Sequence, residues 1–301
     1  MASLVLLIFI ALLLPGVVNR TRALLSGRRG VSLWQHARGL RVLMRKGAVY
    51  SSVTGPVFRL APVVCFGSAL TALLLVPVGG FGPLLSFDGD VVLFCYLLAL
   101  GRMLLVLAAM DTGSSFEGMG ASREALYGAL VEPALFTVLG TLALVSGNTS
   151  FAGIFVRLQG GSTAATILMA LVAYALWKII LVEGGRIPVD DPRTHLELTM
   201  IHEAMVLDYC GFDLGLITLA GWLKTASLAA IAAAALSSPL GWGAVGTVLL
   251  CVLFGVAIGA IESFMARGRL AGNTTYIVTI FAVALVTFIV GYLIRQGFQI
   301  G

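Results

Sequence analysis

The sequence predicts an all-α, polytopic membrane protein with about eight transmembrane helices and both termini outside. Three observations carry that prediction. First, 59% of the 301 residues are hydrophobic and 11% charged, against roughly a quarter charged in an ordinary soluble domain. Mean hydropathy is +1.03, and the 36 glycines are dispersed through apolar stretches rather than gathered in linkers. Second, eight apolar segments can be marked, each near the roughly 20 residues that a bilayer crossing needs. Third, Lys and Arg divide unequally between alternate loops. The composition excludes a disordered chain, a disulfide scaffold and a soluble enzyme of normal surface chemistry. Strand-type alternation is absent, which excludes a transmembrane barrel.

The first segment, residues 2–18, has no basic residue ahead of it, and arginines begin only at Arg20. A cleavable signal has the opposite charge order, so this is expected to be a retained helix that starts outside. Loop 19–56 follows, expected to be cytoplasmic. Within it Leu33, Ala37, Leu40 and Met44 recur at helical spacing beside Trp34, while His36, Arg38, Arg41 and Arg45 fall mostly on other faces. An amphipathic helix lying on the membrane surface or under a partner is expected there. Segments two to four are 57–77, 91–110 and 123–146. Ser122 is the expected cap of the fourth, with Glu124 in its first turn. Segment five, 163–183, leads into a second cytoplasmic loop, 184–212, and 213–237, 242–266 and 274–297 complete the set. Residues 1–301 are expected to form one integral membrane domain, and no internal repeat is evident.

With 19–56 inside, fourteen Lys and Arg fall on the cytoplasmic side, against Arg157 and Arg295 alone on the other. The net charge of +5 is therefore read as topology, and no nucleic-acid partner is expected. The four cysteines, Cys65, Cys95, Cys210 and Cys251, lie at least 30 residues apart without a C-x-x-C. No metal or cofactor is expected within this chain.

Ionisable groups inside apolar helices are the informative residues, since each costs about 2.5–3.5 kcal/mol at a helix centre on insertion scales. They are Arg102, Glu132, Lys178, Lys224 and Glu262, with Asp111 and Glu183 at cytoplasmic helix ends. Glu132 is the strongest, because Pro133 follows it and removes a backbone donor, opening the local ladder to water or another helix. It reads either as a proton relay or as a pair with Arg102 that holds helices together. Lys178 and Glu183 are five residues apart, about 140° around a helix, so each must look to other helices. Lys224 is a proton carrier or a buried ion-pair partner, and Glu262 lies where snorkelling is also an alternative.

Half of the 14 acidic residues fall within the 31 positions from Glu183 to Asp213: Glu183, Asp190, Asp191, Glu197, Glu203, Asp208 and Asp213. His195 and His202 lie among them, but H-E-x-x-H is not present, so metal binding is disfavoured. Dense carboxylates with histidine suit proton uptake or docking of a cytoplasmic partner. Pro188 and Pro192 stiffen the loop and are expected to hold Asp190 and Asp191 on the cytoplasmic face.

Four stretches resemble a known family. Arg186-Ile187-Pro188-Val189-Asp190-Asp191-Pro192 looks like the R-x-P-x-D-x-P loop of the membrane subunit 1 of respiratory complex I, and Asp208-Tyr209-Cys210-Gly211 looks like its E-Y-S-G. Gly185–Pro192, Thr194–Leu207 and Asp111–Glu124 resemble the sister subunit of group 4 membrane-bound nickel–iron hydrogenases more closely still. The resemblance implies an eight-helix subunit between a cytoplasmic redox arm and ion-pumping membrane subunits, with a carboxylate proton route. Proton-relay candidates are Glu132, Glu183, Asp190, Asp191, Glu197, His202, Glu203, Asp208, Lys224 and Glu262. Arg102, Asp111, Arg123, Glu124, Lys178 and Arg186 are ion-pair or structural candidates. The nickel–iron centre and iron–sulfur clusters are expected in partners: hydrogenase large and small subunits and iron–sulfur subunits on the cytoplasmic side, beside antiporter-like membrane subunits in the bilayer. The complex I run E-A-E-S-E is here Arg193-Thr194-His195-Leu196-Glu197, keeping only the last glutamate. That departure favours a non-catalytic hydrogenase subunit over a quinone-site subunit, the second reading; a free-standing transporter is a third.

Overall fold

The computed structural model describes residues 1–159, 163–190, 200–265 and 270–297. Among them are eleven helices: α1 (Ala2–Leu25), α2 (Gln35–Leu43), α3 (Pro56–Leu74), α4 (Asp90–Asp111), α5 (Ser115–Ser146), α6 (Phe151–Arg157), α7 (Thr163–Glu183), α8 (His202–Met205), α9 (Gly211–Leu240), α10 (Gly243–Phe264) and α11 (Leu270–Arg295). Eight are long and apolar enough to cross a membrane; α2, α6 and α8 are not among them. The protein is all-α, with an isolated bridge between Val78 and Phe81 the sole extended pairing among the described residues.

α9 is the centre of the bundle and touches α1, α3, α7 and α10. Its stretch Ala229-Ala230-Ile231-Ala232-Ala233-Ala234-Ala235 is buried throughout. Small side chains let helix backbones approach, which is how helices associate where lipid removes the hydrophobic drive.

α5 begins at Ser115, eight residues before the expected 123. Gly113, at φ 68°, makes the turn, Ser114 holds the extended N-cap position, and Glu117 lies in the first turn, where a negative charge suits the helix dipole. Ser122 is not a cap: its hydroxyl donates to the Met119 carbonyl at 2.9 Å inside the helix. Glu124 is consequently buried well inside α5. Gly120 serves packing, since a Cβ on it would sit 2.9 Å from the Ala204 Cβ. At 32 residues, α5 is roughly 48 Å long and outruns a hydrocarbon core of about 30 Å.

α2 lies against α1 and α9. Leu40 is its buried residue. Trp34, just before it, meets Phe9 edge-on with centroids 5.9 Å apart, and His36 bonds Asn19. The amphipathic segment therefore rests partly on its own bundle.

Candidate functional site

The site grows from one face of α5. Glu124, Gly128 and Glu132 follow at four-residue spacing, which stacks them along a helix. Arg102 of α4 lies over the glycine, where a Cβ would come within 2.5 Å of its Nη1. From that slot its guanidinium reaches Glu124 Oε1 at 3.2 Å and Glu132 Oε1 at 3.0 Å, and it also donates to Glu183 Oε1 at the end of α7. Three carboxylates from two helices thus share one fork of donors. Lys224 of α9 donates to the other oxygen of Glu183 at 3.0 Å.

A second branch leaves from Glu124. Its Oε2 is 3.4 Å from His202 Nε2, and His202 Nδ1 is 3.7 Å from Asp190 Oδ2. Asp190 is 2% exposed and accepts the Ile201 and His202 backbone N–H groups at 3.2 and 3.1 Å. It faces inward as the anchor of α8, not outward as expected for a docking carboxylate. Before it, Gly185 is left-handed at φ 57° and the Ile187–Pro188 peptide is cis. The Gly185 and Arg186 N–H groups bond the Val182 and Leu181 carbonyls at the end of α7 at 3.0 and 2.8 Å. A cavity of about 370 Å³ opens among these groups, lined by Arg102, Glu124, Glu183, Asp190, His202 and Lys224 together with apolar residues including Leu98, Leu105 and Ile217.

The other candidates are placed differently. Arg186 and Glu203 line the cavity, and Arg186 Nη1 bonds Glu262 Oε1 at 3.0 Å. Arg22 comes within 3.6 Å of the other oxygen of Glu262, giving a second ion cluster that joins α1, α10 and the segment after α7. Arg123 donates to the Met200 carbonyl at 2.9 Å. Asp111 accepts the Gly55 N–H at 2.7 Å and the Phe58 N–H at 3.3 Å, capping α3 from another helix. The Asp208 side chain is exposed, and its N–H donates to Glu117 at 2.9 Å. Lys178 bonds the Thr279 hydroxyl. Asp191 and Glu197, with His195, lie outside the described residues.

The segment leading into α9 is fastened around the site. Tyr209 stacks on Phe58 with centroids 3.9 Å apart and donates to the Phe58 carbonyl at 2.7 Å. Tyr50 donates to Asp213 at 2.7 Å, a bond that holds the Tyr50 hydroxyl above its ordinary range.

Sequence reading placed Glu124 in the first turn behind a Ser122 cap, as an ion-pair or structural candidate, and did not find Glu117. The signal for Glu124 was present in Glu124-x-x-x-Gly128-x-x-x-Glu132, two acids flanking a residue without a side chain. Chemically, the network holds more carboxylates than permanent cations, so it can accept an added proton without leaving a net positive charge buried. No three His, Cys, Asp or Glu converge as a metal-holding group among the described residues.

Comparison with known proteins agrees with this architecture. The NADH dehydrogenase family matches residues 1–292. Hydrogenase-4 component C of Escherichia coli (strain K12) is 33% identical over 281 residues, 89% of this chain and 87% of that protein. Formate hydrogenlyase subunit 4 of the same organism is 30% identical over 292 residues, 96% of this chain and 85% of its own length. In fold, the chain is similar to one from the membrane-bound sulfane sulfur reductase, an archaeal respiratory membrane complex, with TM-score 0.76 at 17% identity over 96% of both chains. With eight apolar helices, this multi-pass membrane protein belongs to the NADH dehydrogenase family of the complex I subunit 1 type, among the membrane subunits of hydrogenase and complex I-like oxidoreductases.

Proposed function

We propose that this chain is the membrane-anchor and proton-coupling subunit of a membrane-bound nickel–iron hydrogenase complex of the formate hydrogenlyase kind. Its arginine-rich end faces the cytoplasm and a redox arm of hydrogenase large and small subunits with iron–sulfur subunits. Both termini lie outside, and antiporter-like subunits adjoin it in the bilayer. The likeness to the two Escherichia coli subunits supports the hydrogenase branch. The carrying observation is the unbroken contact path from Asp190 through His202 and Glu124 to Arg102, and from there to Glu183 with Lys224 and to Glu132.

In this reading the partially exposed His202 takes a proton at the arginine-rich end and passes it to Glu124. Arg102 keeps Glu124, Glu183 and Glu132 within one guanidinium's reach, so protonating one of them frees donors for the other two. Glu132, whose side chain is 39% exposed, is where the proton leaves toward the neighbouring membrane subunits. A charge crossing the membrane is worth about 2.3 kcal/mol per 100 mV, within reach of a small redox drop. Glu132→Gln keeps an acceptor for Arg102 but cannot carry the proton. The complex is expected to assemble and turn over hydrogen while proton translocation into vesicles falls. Unchanged translocation leaves Glu132 as a helix clamp only.

The cavity supports a second reading, a quinone-site subunit. Its volume of about 370 Å³ lies within the roughly 300–1,000 Å³ of small-molecule sites, and its walls join apolar to charged residues. Hydrogen evolution from a low-potential donor in quinone-depleted membranes separates the two. Activity that is lost and then restored by added quinone overturns the hydrogenase reading.

A further inference from the structure

The two lysines within the long helices differ in what they meet. Lys224 is paired with Glu183, whereas Lys178 has no carboxylate oxygen within 4.0 Å among the described residues. Its ammonium bonds the Thr279 hydroxyl and lies 4.7 Å from the centroid of the Tyr276 ring, both on α11. A hydroxyl and a ring face do not neutralise a cation. A cation–π contact offsets only part of the cost of placing a lysine inside an apolar helix.

Reach to the lipid headgroups does not relieve it. Lys178 lies five residues from the arginine-rich end of α7 at Glu183. Helical side chains lean toward their own N-terminus, and for α7 that points away from the near end and deeper into the bundle. Thr279 accordingly lies nine residues beyond the first residue of α11, roughly 13 Å along the axis. α11 is the least buried of the eight long helices. The wall that it forms with α7 is apolar and open, with Tyr174 52%, Val278 54% and Val286 51% exposed, and Thr279 is exposed on it.

We propose that the wall formed by α7 and α11 docks a transmembrane helix of a neighbouring membrane subunit, and that a carboxylate on that helix pairs with Lys178. The partner is defined by chemistry: an apolar helix with one Asp or Glu at this depth. Two charges brought together in lipid neutralise each other, and for Lys178 no such counter-ion stands among the described residues of its own chain, so the pair fixes the register of docking. This inference stands apart from the proton route, because Lys178 touches none of the groups around Arg102.

The test uses the assembled complex, purified through a tag on this chain from cells carrying Lys178→Met, Lys178→Arg or Lys178→Glu, with each co-purified subunit quantified by mass spectrometry. Lys178→Met and Lys178→Glu are expected to deplete one integral membrane subunit about tenfold or more while sparing the rest, and Lys178→Arg to retain it. A photo-reactive residue at Val278 is expected to link to that same subunit within a segment containing an acid. Exchanging that acid for Lys is expected to restore the Lys178→Glu complex. Full retention of every membrane subunit in Lys178→Glu overturns the proposal. So does a cross-link to lipid alone, which leaves this wall facing the bilayer. Equal loss of all subunits in Lys178→Met also overturns it, since a docking residue spares the remaining assembly.

Discussion

At the end of the bundle away from Arg102, helices are joined by one buried carboxylate, by hydroxyls and by close backbone approach. Asp90 accepts the Ser150 hydroxyl and the Phe151 N–H at 2.8 Å each, fastening α6 to α4. Ser238 donates to the Phe155 carbonyl at 3.0 Å, and Ser237 meets Thr247 at the same distance. Gly79 lies so near Gly243 that a Cβ would be 2.2 Å from its carbonyl oxygen. At the arginine-rich end the equivalent joins are made by Arg, Lys, Glu and Asp around a cavity. Hydroxyl and glycine contacts hold helices without carrying charge, whereas the ionic half costs desolvation that simple packing would avoid. Under the proposed proton route, one half holds helices together and the other also moves protons.

The largest way to break that contrast is Arg102→Leu. It strands Glu124, Glu132 and Glu183 without their shared cation, and removing one partner of a buried pair costs about 3–5 kcal/mol. Thermal unfolding of the detergent-solubilised complex should show this chain released well before wild type. Arg102→Lys should fall between, because an ammonium is a point charge and cannot fork to three acceptors. A melting curve unchanged in Arg102→Leu means that the charges do not hold this half together.

Asp190→Asn comes next. It weakens the acceptor of two backbone N–H groups, and bonds to charged groups are worth about 1.5–3 kcal/mol each. The expected result is local loosening of residues 200–205, read as faster amide exchange there and weaker retention of the cytoplasmic arm. Retention lost without faster exchange restores a direct docking role for the carboxylate.

Gly79→Ala probes the other half. Its φ of +32° and the nearby Gly243 carbonyl leave no room for a methyl group, so overpacking of about 1–3 kcal/mol is expected. Stability should drop while proton translocation per assembled complex stays unchanged. A selective loss of translocation would show that the far half also moves protons.

How much of this was legible follows from which forces act locally. The long helices were readable because the bilayer fixes a length of apolar sequence, and α7 runs from Thr163 to Glu183 at the expected bounds. The start of α5 was not. Ser122 satisfies the chemistry of a cap, but contact with Ala204 across helices makes Gly120 a packing residue and carries the helix back to Ser115. α6 and α8, at seven and four residues, are too short to leave a periodic signal. Arg102 and Glu132 stood out by their cost in an apolar run. That Glu183 joins them, or that Arg22 approaches Glu262, depends on which helices are neighbours, and sequence spacing within one helix does not encode that.

The smallest effect expected is at Thr247→Val, and it bears most directly on the contrast. Thr247 is fully buried, lies 3.0 Å from the Ser237 hydroxyl and donates to its own helix at the Gly243 carbonyl, also at 3.0 Å. Valine keeps the shape and removes both bonds. Ser237 retains a bond to the Ala234 carbonyl at 3.5 Å, so no donor is stranded. Interhelical hydrogen bonds in membranes average about 0.6 kcal/mol in double-mutant cycles. Thr247→Val, Ser237→Ala and the double variant should therefore give a coupling of about that size in unfolding of the solubilised complex, with proton translocation unaltered. A coupling of about 2 kcal/mol or more would mean that α9 and α10 are held by polar bonds rather than by close packing of small residues. The two halves would then differ in charge but not in how they are held.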